Sequence, residues 1–220
     1  VRASHARTRR AVHLLRASAL LGCVLLAGPG CSESDDEPSG ASSSHAFNQA
    51  LHDELMRMLD DDQAERTGEA PMDGDQTRTD RLAEIIDEYG WPTFDLVGED
   101  GAEAAWAIAQ HSDLDPGFQE RALELLRAAA AEGQASAGNL AYLEDRVAVG
   151  KGLPQLYGTQ IGCGPDGAEP ATPIVDPENV EQRRADAGLE PLDDYLSELN
   201  QMCPRSRSDV GERDDAGPAR

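Results

Sequence analysis

The residues best suited to chemistry stand where an apolar stretch ends in two polar side chains. Ala102-Glu103-Ala104-Ala105-Trp106-Ala107-Ile108-Ala109 is apolar almost all round, and Gln110 and His111 follow it. Such a stretch marks a central, buried helix, so both polar groups need partners. An imidazole exchanges protons near neutral pH, which makes His111 a candidate general acid/base, oriented by Asp113 or Asp115 just behind it, with Asp145 a further candidate. The competing reading is a core histidine satisfied by a backbone carbonyl.

A second set lies on Asn139-Leu140-Ala141-Tyr142-Leu143-Glu144-Asp145-Arg146. At about 100° per residue Leu140, Leu143 and Val147 share one helix face, and Tyr142 and Asp145 point the opposite way. That pattern reads as a solvated face with a polar border. Tyr142 and Arg146, four apart, also make a clamp for an anion or carboxylate. Asp62 and Arg66 have the same spacing with Gln63 between; a surface ion pair is the plainer account, and Gln63 and Arg66 are kept as binding candidates. Gln155-Leu156-Tyr157-Gly158-Thr159-Gln160 groups amide, phenol and hydroxyl around a glycine. Gln155, Tyr157 and Gln160 could orient a ligand that approaches the backbone at Gly158, or the segment is an ordinary turn.

Familiar catalytic patterns are missing. The chain has no Gly-x-Ser-x-Gly, no phosphate-cradling glycine loop, no His-Glu-x-x-His and no cysteine with a nucleophile's local signature. Asp73-x-Asp75 with Glu84 echoes a calcium loop, but Arg78 occupies the place of the required glycine. We therefore expect neither a metal nor a cofactor.

Charge narrows the partners. The 220 residues hold 19 Lys and Arg against 42 Asp and Glu, a net charge of −23. Five arginines precede position 31 with no acid among them, so the acidic excess of the remainder is larger still. That sign argues against nucleic acid and against docking on an anionic membrane face.

Residues 1–30 have the three parts of an export signal: an Arg-rich stretch ending at Arg16, an apolar run from Ala17 to Ala27, and small residues before Cys31. The run is far shorter than the roughly 20 residues that span a bilayer. Cys31 followed by a polar tether, residues 31–44, resembles the lipobox of bacterial lipoproteins, although Gly28-Pro29-Gly30 departs from the usual pattern. Leu20-Leu21-Gly22-Cys23 fits it better, but cleavage there would leave Val24-Leu25-Leu26 exposed. Cys31 is the expected lipidation site, giving a domain held to a membrane of the cell envelope and facing the periplasm or exterior. Cys163 and Cys203 then remain as a pair, the expected number for one disulfide in an oxidising compartment.

The elements that must position these groups are mostly helical. All nine aromatic residues lie between Phe47 and Tyr195, bracketing a single helical domain over 45–203, and 204–220 reads as a disordered tail. Phe47, Leu51, Leu55, Met58 and Leu59 recur at helical spacing behind the candidate cap Ser44. Thr79 or Asp80 opens a second helix that Gly90 stops. A third runs from about Asp100 to His111. Asp115 caps a fourth, with Pro116 in its first turn, and Ser136 opens a fifth that closes at Gly150. Six Gly and four Pro then fall between Gly150 and Pro173. There a strand over 156–161 could pair with an edge strand over 172–175. Short helices follow over 177–187 and 191–202. The fold class is mostly α, a compact helical domain with a small β-hairpin element after the fifth helix.

Asp62-Gln63-x-x-Arg66, Gly90-Trp91-Pro92-Thr93, Gln110-His111-x-Asp113, Asn139 to Arg146, Gln155-x-Tyr157-Gly158-Thr159-Gln160 and Arg184…Gly188-Leu189-x-Pro191-Leu192-x-x-Tyr195 occur in that order. The ensemble resembles a bacterial family described as domain of unknown function 6624, over roughly residues 47–196. The resemblance implies that these polar motifs form a family signature and a shared site, and it carries no activity with it. Cys163 and Cys203 are not part of that pattern.

Two functions fit. One is an enzyme, a cofactor-free hydrolase or transferase: His111 as acid/base, Asp113 or Asp145 as its orienting partner, and Arg146 with Arg66 on an anionic substrate group. The other is a non-catalytic envelope lipoprotein, a binding or interaction module in which the same residues form a buried structural network. Its partner would be a small molecule or a protein.

Overall fold

The structure is a computed structural model and describes residues 46–203. The expected signal, the whole expected tether with Cys31, the candidate cap Ser44 and the expected tail lie outside the described residues. Five helices come first: α1 (Gln49–Arg66), α2 (Asp75–Tyr89), α3 (Phe94–His111), α4 (Pro116–Ala131) and α5 (Ala137–Gly150). A two-stranded antiparallel hairpin follows, β1 (Ile161–Gly164) and β2 (Gly167–Pro170), with Cys163 opposite Ala168. A 3-10 turn (Pro177–Asn179), α6 (Val180–Asp186) and α7 (Leu192–Leu199) complete the described chain. The mostly α class with a small hairpin after the fifth helix is what the sequence patterns predict.

Helix α3 is central and packs against α1, α2, α4 and α5. Its composition explains this, because Ala102, Ala104, Ala105 and Ala109 are buried and let neighbours approach closely. Leu51 and Leu55 of α1, Leu82, Ile85 and Ile86 of α2, and Phe118, Leu126 and Leu143 of α4 and α5 close over it. Burying side chains of that size stabilises the fold by about 1.5–3 kcal/mol each.

Several boundaries differ from the sequence reading, each for a local reason. Helix α1 is capped by Asn48, whose side chain accepts from the Leu51 amide. Helix α2 starts at Asp75, earlier than Thr79, because Thr79 lies inside the helix and donates its hydroxyl to the Asp75 carbonyl at 2.9 Å. Helix α3 begins at Phe94 and kinks at Gly98, whose φ of 78° suits a residue without Cβ. The caps Asp115 and Ser136 stand as expected, each accepting an amide of its own first turn. Helix α7 ends at Leu199, short of the expected 202.

The first strand lies later than expected and the second earlier. Residues 156–161 do not pair with 172–175; the hairpin joins 161–164 to 167–170, and Gln155 with Ile174 makes a single parallel bridge. The amides of Leu156, Tyr157 and Thr159 point instead at the Asp145 carboxylate, so they have no ladder to join. A disulfide between Cys163 and Cys203, with Cα atoms 5.5 Å apart, ties the hairpin to the segment after α7.

Candidate functional site

The end of α1, the start of α2, the end of α3, the start of α4 and the last turns of α5 all carry polar side chains, and the contacts join them into two groups. In the first, Asp62 is wholly buried. His111 Nδ1 lies 2.9 Å from Asp62 Oδ2, Arg66 Nε lies 3.0 Å from Oδ1, and Gln63 Nε2 lies 2.9 Å from Oδ2. Arg66 also reaches Asp75 at 2.9 Å. Arg78, itself buried, makes a two-pronged bond with Glu65 at 2.8 and 2.7 Å and a third contact with Asp75. Paired guanidinium and carboxylate groups of this kind satisfy charges that could not be buried singly.

The electrostatics follow from these distances. Burial by itself would push the Asp62 carboxyl up. Hydrogen bonds from His111 and Arg66, with their charges, outweigh it and hold the group down at about 2. His111 Nδ1 thus sits against both the Asp62 carboxylate and Arg66 Nε, the latter 2.8 Å away, which fixes the ring on that side, and Nε2 takes no hydrogen bond from the described residues. The His111 side chain is 25% exposed, so solvent can reach the ring while Asp62 stays sealed.

The second group centres on Asp113 and Arg146. Arg146 Nε donates to Asp113 at 2.9 Å and Nη1 to Gln160 Oε1 at 3.1 Å. Gln119 Nε2 donates to Asp113 at 3.1 Å. The carboxylate on His111 is thus Asp62, not Asp113, Asp115 or Asp145: Asp113 is engaged with Arg146, and Asp115 caps α4. Asp62–Arg66 is likewise no surface pair, because its acid has no exposed surface.

Asp145 and Tyr142 also depart from the expected solvated face. Asp145 is fully buried and accepts from the amides of Leu156 at 2.7 Å, Tyr157 at 3.2 Å and Thr159 at 2.9 Å, and from the Thr159 hydroxyl. Tyr142 meets Trp106 and Tyr195 edge-on. The loop amides meet Asp145 and Tyr195 of α7 meets Tyr142, contacts that periodicity within one helix cannot report. Gln155, with no exposed surface, braces the loop by donating to the Gln160 carbonyl and accepting from its amide. Gly158, at φ 68°, turns the chain where a Cβ would strike Ile174 at 2.6 Å. Arg184 reaches the Tyr157 carbonyl and lies over the Tyr195 ring, whose hydroxyl donates to Thr159 O. Burial, then the nearby charges of Glu144 and Asp145, push the Tyr157 phenol up. Gln110 is buried beside His111, and no group among the described residues bonds its Oε1.

The fold brings Gln63, Arg66, His111, Asp113, Arg146 and Gln160, all singled out in the sequence, to this end of the bundle. Sequence reasoning missed Asp62 as the histidine's partner, and it missed Glu65, Asp75, Arg78 and Gln119. The available signal was the acid four residues before Arg66, near the end of a helix that could pack on the apolar α3.

Fold and site together define an α-helical domain organised around a buried carboxylate–histidine pair and a braced polar loop. Residues 47–203 match the model of the family of unknown function DUF6624, and the chain belongs to that family. No curated protein and no solved structure matches the chain.

Proposed function

We propose that this is an exported, lipid-anchored bacterial protein whose domain acts as a cofactor-free hydrolase or transferase. His111 is the general acid/base, and Asp62 takes the orienting role expected of Asp113 or Asp145. The observation that carries this reading is the 2.9 Å contact between a sealed carboxylate and a reachable imidazole. Burial of the acid keeps its charge in a low-dielectric setting, where it holds the ring and stabilises the imidazolium formed in turnover. Arg66, partly exposed beside the ring, supplies positive charge for an anionic group of the substrate. Asp145 and Gln155 position the loop that presents Gln160 to Arg146.

The test uses the full chain with p-nitrophenyl acetate, p-nitrophenyl phosphate, bis(p-nitrophenyl) phosphate and L-alanine p-nitroanilide. We expect turnover of at least one probe to fall about 10²-fold or more in His111→Gln, with the melting temperature kept. Equal rates for both proteins on every probe would overturn the reading.

A second reading has its own observation. Asp145 and Gln155 satisfy the loop backbone internally, the first at the Thr159 amide and the second at the Gln160 amide and carbonyl, as a structural network does. On that reading the domain is a non-catalytic binding module of the envelope, and His111→Gln destabilises it without loss of any turnover. Support for export and anchoring is the Arg-rich stretch, the apolar run and Cys31 before a polar tether. Labelled fatty acid should enter the wild-type chain and Cys23→Ser but not Cys31→Ser; the reverse pattern moves the anchor to Cys23.

A further inference from the structure

Between the start of α4 and the end of α5 lies a cleft of about 300 Å³, room for a small molecule. Two ion pairs line it. Arg146 Nε is 2.9 Å from Asp113 Oδ1, and Lys151 Nζ is 2.8 Å from Glu120 Oε2. The four side chains are about a third to just over half exposed. Arg146 holds Asp113 by two bonds, Nε on Oδ1 and Nη2 on Oδ2, whereas the single Lys151–Glu120 contact is weak, so a ligand's charges replace the partners there and are added at the solvent side of the first pair. The cleft also carries an apolar wall, with Pro116 and Val147.

Gln119 adds a buried polar group. It is only 5% exposed and lines the same cleft. Its Nε2 donates to the carbonyls of Ala109 and Gln110, each at 3.2 Å, and to Asp113. Its Oε1 takes no hydrogen bond from the described residues, which leaves an acceptor open at the wall.

We infer that this cleft binds a zwitterion, a free α-amino acid or a dipeptide. The ligand carboxylate lies on Arg146 and Lys151. Its ammonium lies among Glu120, Asp113 and Gln119 Oε1, and a small apolar side chain rests on Pro116 and Val147. A purely anionic ligand would meet two carboxylates, and a purely cationic one two basic groups. A ligand with both charges complements both pairs. The inference is independent of the acid/base role, since His111 is not among the lining residues.

The test is titration calorimetry on the full chain with L-valine, L-alanyl-L-alanine, N-acetyl-L-valine and L-valinamide. Valine or the dipeptide should bind with Kd below about 1 mM. Capping either charge should weaken binding about tenfold or more, as should Lys151→Ala and Glu120→Gln, while Glu178→Gln and His111→Gln bind as wild type. Tighter binding of valine identifies a free amino acid, and tighter binding of L-alanyl-L-alanine a dipeptide. The inference is overturned if neither zwitterion binds at about 10 mM, or if the capped ligands bind equally well. Loss of turnover in His111→Gln with binding retained would separate the two sites.

Discussion

His111 Nδ1 stands 2.9 Å from Oδ2 of Asp62, across 49 residues of sequence, and joins the last turn of α3 to the C-terminal part of α1. The acid has no exposed surface, and the ring remains partly open to solvent. One side of the imidazole is thereby fixed and the other left available. The same acid pairs with Arg66, so it holds three elements of the site at once: the ring, the guanidinium and, through Arg66, Asp75 at the start of α2.

Removing that acid leaves His111 Nδ1 and the Gln63 amide without their partner and Arg66 with Asp75 alone. Asp62→Ala should destabilise the domain by about 3 kcal/mol, since the partners of a buried charge lose their compensation. Urea unfolding of the variant against wild type measures it; a change within experimental error would show that Arg66 and His111 re-pair elsewhere.

Acid should expose the same dependence. The folded-state value of Asp62, about 2, lies below its ordinary 3.8. Its stabilisation is therefore present above that ordinary value and is lost as pH falls from about 4 through about 2, a contribution on the order of 2 kcal/mol. The stability gap between wild type and Asp62→Asn should narrow over that window in urea melts taken at successive pH values.

At the other end of α1 the sign reverses. His52 is raised from its ordinary value, first by its hydrogen bond with Asp53 and then by that with Asp100, 3.2 Å from Nε2. A raised folded-state value gives stability that is complete below 6.5 and is lost as pH rises through the folded value. Asp100→Asn should flatten this alkaline decline, as followed by melting temperature between about pH 6 and pH 9.

Asp145 should prove essential to the loop. Asp145→Ala leaves the Leu156, Tyr157 and Thr159 amides and the Thr159 hydroxyl without their acceptor. A loss of about 3 kcal/mol or more is expected. Hydrogen exchange at those three amides should accelerate more than exchange in α1 and α2.

The disulfide should stabilise chiefly by restricting the unfolded chain. Cys163 and Cys203 close a separation of 40 residues, for which chain entropy gives about 4 kcal/mol. Wild type in reductant and Cys163→Ser without it should show similar drops in unfolding midpoint.

Much of the helical frame was legible because its signals are local. Asp115 before Pro116, Ser136 three residues before Asn139, and Gly90 after Tyr89 each act on the backbone within a few residues. The apolar run of α3 likewise announced a central helix. Where a signal depended on a distant partner, reading along the chain failed. Leu156 to Ile161 has the composition of a strand, but its amides turn to Asp145, a residue back in α5.

The site divides along the same line. His111 could be singled out in the sequence because a histidine at the end of an apolar helix is unusual wherever it lands, and the spacing of Asp62 and Arg66 set an i,i+4 pair on one face of α1. Those are properties of residue type and helical period. That Asp62 is sealed and meets His111, that Asp145 turns inward, and that Gln119 and Lys151 share a cleft with Arg146 were decided by the packing of α1 on α3, of α4 on α5, and of the loop on Asp145 of α5. Burial and hydrogen-bond partnership are sums over neighbours brought together by the fold, so no single stretch of sequence contains them.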